Sequence, residues 1–263
     1  MLSIDKISKT FFPGTVNERK ALVNLNLTLD EGDFVTVIGS NGAGKSTLLN
    51  AVSGRYTVDS GTIDIDGKRV NRLQEFQRAK YIGRVFQDPM AGTAPNLTIE
   101  QNLALALRRG QPRGLGLALT AKQRARFREE LATLELGLEN RLPAKVGLLS
   151  GGQRQALSLL MAGFTKPRIL LLDEHTAALD PQRAALVTDL TERIVSQGGL
   201  TTLMVTHNME QALRLGNRLI MMHEGQIVFQ ATAEEKKSLT VPLLLEEFAK
   251  IKGAMLDDRA LLT

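Results

Sequence analysis

The chemistry in this chain is densest between residues 39 and 47, which read Gly39-Ser40-Asn41-Gly42-Ala43-Gly44-Lys45-Ser46-Thr47. Glycines at this spacing let a backbone turn tightly enough to aim successive N-H groups into one concavity, and a helix starting there adds partial positive charge. Such a cradle suits a polyphosphate. Lys45 would reach the outer phosphates, and the Ser46 hydroxyl would ligate a magnesium ion bridging them.

A second group follows at Ile169-Leu170-Leu171-Leu172-Asp173-Glu174. Four apolar residues predict a buried strand, and Asp173 leaves it at the carboxyl end, where ligands bind in open α/β sheets. Its carboxylate can hold the magnesium, directly or through water. Continued strand alternation would turn Glu174 the other way, free of the metal and available to orient or deprotonate a water.

Leu149-Ser150-Gly151-Gly152-Gln153 forms a third. Here a serine and two glycines precede an amphipathic helix, Arg154 to Phe164, which makes a second helix N-terminus able to receive phosphate oxygens. Serine as an ordinary cap explains Ser150. It does not explain two glycines where helix formers would be preferred.

Placing these groups requires an α/β frame. The apolar run Phe34 to Ile38 predicts the strand that delivers the glycine loop, and Leu48 to Val52 the helix that leaves it. Leu22 to Leu29 alternates as a strand, and Thr62 to Ile65 meets the turn Asp66-Gly67 before a short strand at Lys68 to Val70, so an antiparallel sheet is expected beside the site. Capping boxes at Thr98 and Thr120 open helices, the second running to about Leu136, with a Gly and Pro loop from Gly110 to Gly116 between them. Asp180-Pro181 opens a helix ending near Gly198-Gly199, and Leu200 to Val205 is again a buried strand. Leu219 to Met222 and Gln226 to Phe229 predict a closing hairpin. Strands alternating with helices imply a parallel sheet covered on both faces.

Composition narrows the partners. With 263 residues, 43% of them hydrophobic, the chain can bury a full core. It has no cysteine, which excludes disulfides and thiolate metal sites, and its three histidines are scattered. No run approaches the roughly 18 to 20 apolar residues that span a bilayer, so a membrane role is expected to come through a partner. The net charge of +5 reads as a solvated basic surface.

Taken in order, these motifs resemble the ATP-binding cassette family, whose signature is the pentapeptide at Leu149 to Gln153. The resemblance runs from about Leu2 to Gln230. It implies a P-loop NTPase core with an antiparallel β subdomain and an inserted α-helical subdomain at about 90–165, all within one domain at 1–230, followed by a short helical tail at 231–263. It implies further roles: Phe11 or Phe12 stacking on adenine, Gln87 contacting magnesium and the attacking water, and His207 bonding the terminal phosphate. The stretch Ala178-Leu179-Asp180 is similar to the loop that crosses between two cassettes. The chain departs from the pattern at His175, where the family usually has proline.

In such proteins Ser150 and its glycines cap the ATP held by a second cassette. The resemblance thus implies ATP and Mg2+ as ligands, a second copy of this chain as partner, separate membrane permease subunits, and a solute-binding protein if the system imports. It places the chain at the cytoplasmic face of the membrane, with a small organic solute such as an amino acid as cargo. It implies no nucleic acid, because the long coiled-coil or zinc insertions and the second cassette of nucleic-acid and ribosome-associated relatives do not appear.

Overall fold

The computed structural model describes residues 1–111 and 119–250. In chain order it contains β1 (Leu2–Phe11), β2 (Arg19–Leu29), β3 (Phe34–Gly39), α1 (Lys45–Ser53), β4 (Ser60–Ile65), β5 (Lys68–Arg69), α2 (Glu75–Arg78) and β6 (Ile82–Val85). Next come α3 (Ile99–Leu107), α4 (Ala121–Ala132), α5 (Gly151–Gly163), β7 (Ile169–Asp173), α6 (Pro181–Gly198) and β8 (Thr202–Val205). The order closes with α7 (Met209–Arg214), β9 (Arg218–His223), β10 (Gln226–Ala231) and α8 (Ala233–Ser238), and residues 241–250 are helical.

Two sheets result. A four-stranded antiparallel sheet has the order β2-β1-β4-β5, and a six-stranded sheet has the order β10-β9-β3-β8-β7-β6. In the larger sheet β9, β3, β8, β7 and β6 run parallel, and only β10 returns antiparallel, on β9. Burial follows from this arrangement. Phe34 to Ile38 are all buried because β3 lies inside the sheet and is covered on both faces, whereas β1 buries Leu2, Ile4 and Ile7 on one side only.

The helices α3, α4 and α5 do not have a private core. Ile99, Leu103, Phe127 and Leu131 belong to the same apolar cluster as Leu170, Leu172 and Met204 of the parallel sheet. A second cluster joins the antiparallel sheet to α1 through Leu2, Ile63, Leu48 and Val37. Helix α1 and the loop before it are thus clamped between the two sheets.

Several boundaries differ from expectation for physical reasons. Helix α4 stops at Ala132 rather than near Leu136, because Glu135 and Gly137 take positive φ (57° and 69°) and fold Leu134 and Leu138 back into the core. Helix α5 begins at Gly151, so the two glycines lie within its first turn instead of preceding it. The Gly and Pro loop falls mostly on residues 112–118, and the end of the tail on 251–263, both outside the described residues.

Candidate nucleotide-binding site

The carboxyl ends of four neighbouring parallel strands converge. Strand β3 delivers Gly39, β7 delivers Asp173 and Glu174, β8 leads into Thr206 and His207, and β6 into Phe86 and Gln87. This edge is where an open α/β sheet leaves room for a ligand.

The glycine loop is fixed by contacts its glycines permit. Gly44 caps α1 with φ 99°, and a Cβ there would lie 2.3 Å from the Ala21 carbonyl oxygen. Gly39, at φ 149°, passes the Met222 carbonyl just as closely. No side chain fits at either position. Inside the loop, the Lys45 ammonium donates to the carbonyls of Gly39 (2.8 Å) and Ser40 (3.0 Å). Burial holds the lysine below its usual range, while Glu174 and then Asp173 oppose that shift. A cation poised against backbone carbonyls in this way can turn to a phosphate at little cost in reorganisation.

A cleft of ≈ 390 Å3 is lined by Asn41, Gly42, Ala43, Gly44, Lys45, Ser46 and Thr47 together with Phe11, Glu174 and His207. Phe11 meets Tyr56 edge to face at 5.3 Å, while Phe12 is 66% exposed at φ 52° and does not line the cleft. Glu174 parts from Asp173 as expected, but by a turn and not by strand alternation. Strand β7 ends at Asp173, and Glu174 adopts φ 45°, a left-handed turn that swings its carboxylate into the same cleft as Lys45. There it accepts from His207 Nε2 at 2.6 Å. A carboxylate can only accept, so Nε2 carries the proton in this contact.

Asp173 does not line the cleft. Its Oδ2 is paired with the Arg84 guanidinium at 3.0 Å, and Arg84 also donates to Ser53 Oγ and stacks on Phe86. Sequence reading missed Arg84, although a charged residue inside the strand Ile82–Val85 signals that a partner is needed nearby. It also missed Arg19, which lines the cleft and donates to the Gly42 carbonyl at 2.8 Å.

A hydroxyl at Ser46, a carboxylate at Asp173 and an amide at Gln87 are hard oxygen donors of the kind magnesium takes. Among the described residues no cluster of three His, Cys, Asp or Glu could hold a metal ion. That donor set fits a magnesium that arrives with phosphates, because such an ion needs only one or two protein ligands. Gln87 lies outside the cleft lining, but the residue before it is tethered: Gln155 of α5 donates to the Phe86 carbonyl at 3.1 Å.

Ser150 Oγ accepts from the Gln153 backbone amide, and the Ser150 backbone amide donates to Gln153 Oε1, a complete capping box. Neither these residues nor Gly151 and Gly152 line the cleft. Gly151 instead approaches Leu179, and Gly152 the Arg183 side chain, at the start of α6. Asp180 caps that helix by accepting from the Arg183 amide at 3.1 Å. His175 is buried, and burial pushes its pKa down to about 4. Its Nε2 donates to Thr191 Oγ1 at 2.8 Å, since that hydroxyl gives its own proton to the Val187 carbonyl. The bond ties the turn to α6, where the usual proline would have stiffened it.

A protein-family model described as ABC transporter matches residues 22–177. The chain belongs to this family. As an ABC transporter ATP-binding subunit it binds and hydrolyses ATP. A tyrosine transport ATP-binding protein of Clostridioides difficile is 46% identical over 249 residues, covering 94% of this chain and 98% of that protein. An aliphatic sulfonates import ATP-binding protein of Agrobacterium fabrum is 37% identical, covering 85% of this chain and 76% of its own length. Among solved structures, the ATP-binding cassette MJ0796, described as dimeric in a post-hydrolysis state with ADP and Pi, superposes with TM-score 0.75 at 31% identity, covering 89% of this chain and 99% of that one. The ADP conformation of the cassette MJ1267 gives TM-score 0.76 at 25% identity, covering 95% and 98%. No helix among the described residues is long and apolar enough to cross a membrane.

Proposed function

We propose that this cassette powers import of a small organic solute, with an amino acid the favoured class, through separate permease subunits at the cytoplasmic face of the membrane. It does so as two copies that enclose ATP between them. The observation that carries the reading is the division of the phosphate-binding parts. Lys45, Ser46, Glu174 and His207 surround one cleft, while the Ser150 helix start lies outside that cleft. A second copy would supply its Ser150 to Gln153 and its Asp180 loop to complete the site.

In this reading Phe11 stacks on adenine and the amides of Gly39 to Thr47 cradle the phosphates. Ser46, Asp173 and Gln87 would hold magnesium, which neutralises charge on the phosphate oxygens. Glu174 orients and deprotonates the attacking water, and Lys45 and His207 stabilise charge on the transferred group. His207 reaches both partners, since the nitrogen now bonded to Glu174 can turn to a phosphate oxygen. ATP binding closes the pair and hydrolysis reopens it. The amino-acid class is supported by the Clostridioides relative, a tyrosine transport ATP-binding protein.

The permease-facing surface in this reading is Gln87 to Asn96, between the core and the helical subdomain. Beside them lies a cleft of ≈ 1030 Å3 bordered by the exposed side chains of Phe76 and Leu105 and by Lys80, Arg108 and Arg109. Deletions or charge reversals in Met90 to Pro95 are expected to stop solute uptake in reconstituted vesicles and leave basal hydrolysis intact; unaltered uptake would remove the coupling assignment. The site itself is tested by Glu174→Gln. It should bind MgATP and accumulate a closed dimer on size-exclusion chromatography while turnover falls by about 10² to 10⁴. Turnover at the normal rate would refute the base assignment.

A further inference from the structure

Glu174 and His207 sit on separate loops after β7 and β8, and their 2.6 Å contact involves a half-exposed histidine. What holds the two loops in register lies behind them. The buried side chain of Gln211, on α7, reaches three threonine hydroxyls: Thr206, one residue before His207; Thr176, two residues after Glu174; and Thr188 on α6.

The donors and acceptors in this cluster are fixed by exclusion. Thr188 gives its proton to the Ala184 carbonyl (2.7 Å), so it must accept from Gln211 Nε2 at 2.8 Å. Thr206 accepts from the Asn208 amide and donates to Gln211 Oε1 at 2.7 Å. The amide therefore has one workable orientation. Its second N-H reaches Thr176 Oγ1 at 3.2 Å. The amide end of Gln211 thus bridges both loops and α6 at once. Its backbone is fixed as well, since the Gln211 amide donates to the capping Asn208 side chain at 2.8 Å.

We propose that Gln211 is a positioning residue that holds Glu174 and His207 in register for hydrolysis. The claim rests on the reading of Glu174 as the base that activates water. Gln211 does not line the nucleotide cleft, so its loss should affect the chemical step and spare nucleotide binding. A buried network that fixes two reacting groups matters for rate because misplacement by about 1 Å can cost on the order of 100-fold.

The test uses the full chain with steady-state ATPase kinetics, a fluorescent ATP analogue for affinity and thermal melting. Gln211→Glu keeps an acceptor for Thr206 but sets a carboxylate oxygen against Thr188, which has no proton to give. Gln211→Met removes every side-chain polar contact at similar volume. Both should lower kcat by about 10- to 100-fold with KM and analogue affinity within about twofold. Because either could also loosen the fold, Thr206→Ser and Thr206→Val form an independent pair: the serine keeps the hydroxyl and should retain kcat, and the valine should lose it. The proposal is overturned if Gln211→Met keeps kcat within twofold, if affinity falls in step with kcat, or if Thr206→Ser is as impaired as Thr206→Val. Full activity in Glu174→Gln would overturn the base reading beneath it. An inactive Glu174→Gln alongside a fully active Gln211→Met would overturn the positioning role alone.

Discussion

Two helices in this cassette start at glycines, and they start in different ways. At α1 the glycines are demanded by the chain itself: Gly44 is left-handed, and any Cβ would strike the Ala21 carbonyl. At α5 they are not. Gly151 has no positive φ, and a Cβ there would make ordinary contact with Leu179 at 3.5 Å, while Ser150 already satisfies the cap. Gly152 is tighter, since a methyl there would lie 3.3 Å from the flexible Arg183 side chain. Among the described residues nothing forbids a side chain at Gly151, which accords with the proposed approach of a ligand from outside. The first loop is built around its own lysine; in the proposed pairing the second is left open for a ligand that another copy would bring.

Substitutions can break or sharpen this contrast. The largest effect is expected from Gly44→Ala, which should cost about 2 to 5 kcal/mol from left-handed strain and the backbone clash and abolish ATP binding. Denaturant titration and nucleotide binding would check it. Gly151→Ala should leave stability within about 0.5 kcal/mol while turnover falls roughly tenfold or more, because the added methyl intrudes where phosphate donors are needed. A parallel loss of stability and turnover in that variant would erase the distinction between the two loops. Ser150→Ala removes an N-cap and should cost about 1 kcal/mol, read from the melting curve.

The smallest effect concerns protons. Lys45 is buried in the first loop, whereas no lysine occupies the first turn of α5. Its folded-state pKa is lowered, chiefly by burial, so in the alkaline range below 10.5 the unfolded chain binds more protons than the folded one. Stability of the nucleotide-free protein should therefore rise relative to Lys45→Met as pH climbs toward 10.5. The slope should not exceed about 1.4 kcal/mol per pH unit. A difference that is flat with pH would mean that the loop carbonyls fully compensate the charge.

Local features were the legible ones. The capping boxes at Thr98 and Thr120, the Ser150 cap and the Asp180 cap with Pro181 each depend on residues only a few positions apart, and the structure contains all of them. Strands β3, β7 and β8 were legible because burial on both faces leaves an uninterrupted apolar run, whereas β6, broken by Gly83 and Arg84, was not. Contacts between distant segments were not. Arg84 and Asp173 are 89 positions apart, and their pairing depends on β6 lying beside β7. Gln211 reads in sequence as an ordinary helical glutamine, because its three partners come together only after folding. Glu174 does part from Asp173, since it alone of the two lines the cleft, but by a left-handed turn and not by the alternation of a strand that continues.

The position of β3 also has a consequence in time. Its hydrogen-bonded neighbours are β8 and β9, paired through Phe34 with Thr202 and through Gly39 with Met222. Synthesis proceeds from the N-terminus at about 5 to 20 residues per second. The glycine loop therefore leaves the ribosome well before β8 and β9 and waits many seconds for both strands that brace it. Until then the apolar run Phe34 to Ile38 has no sheet to enter. Fragments ending before β8 should be unable to form the nucleotide cradle, however complete their glycine loop.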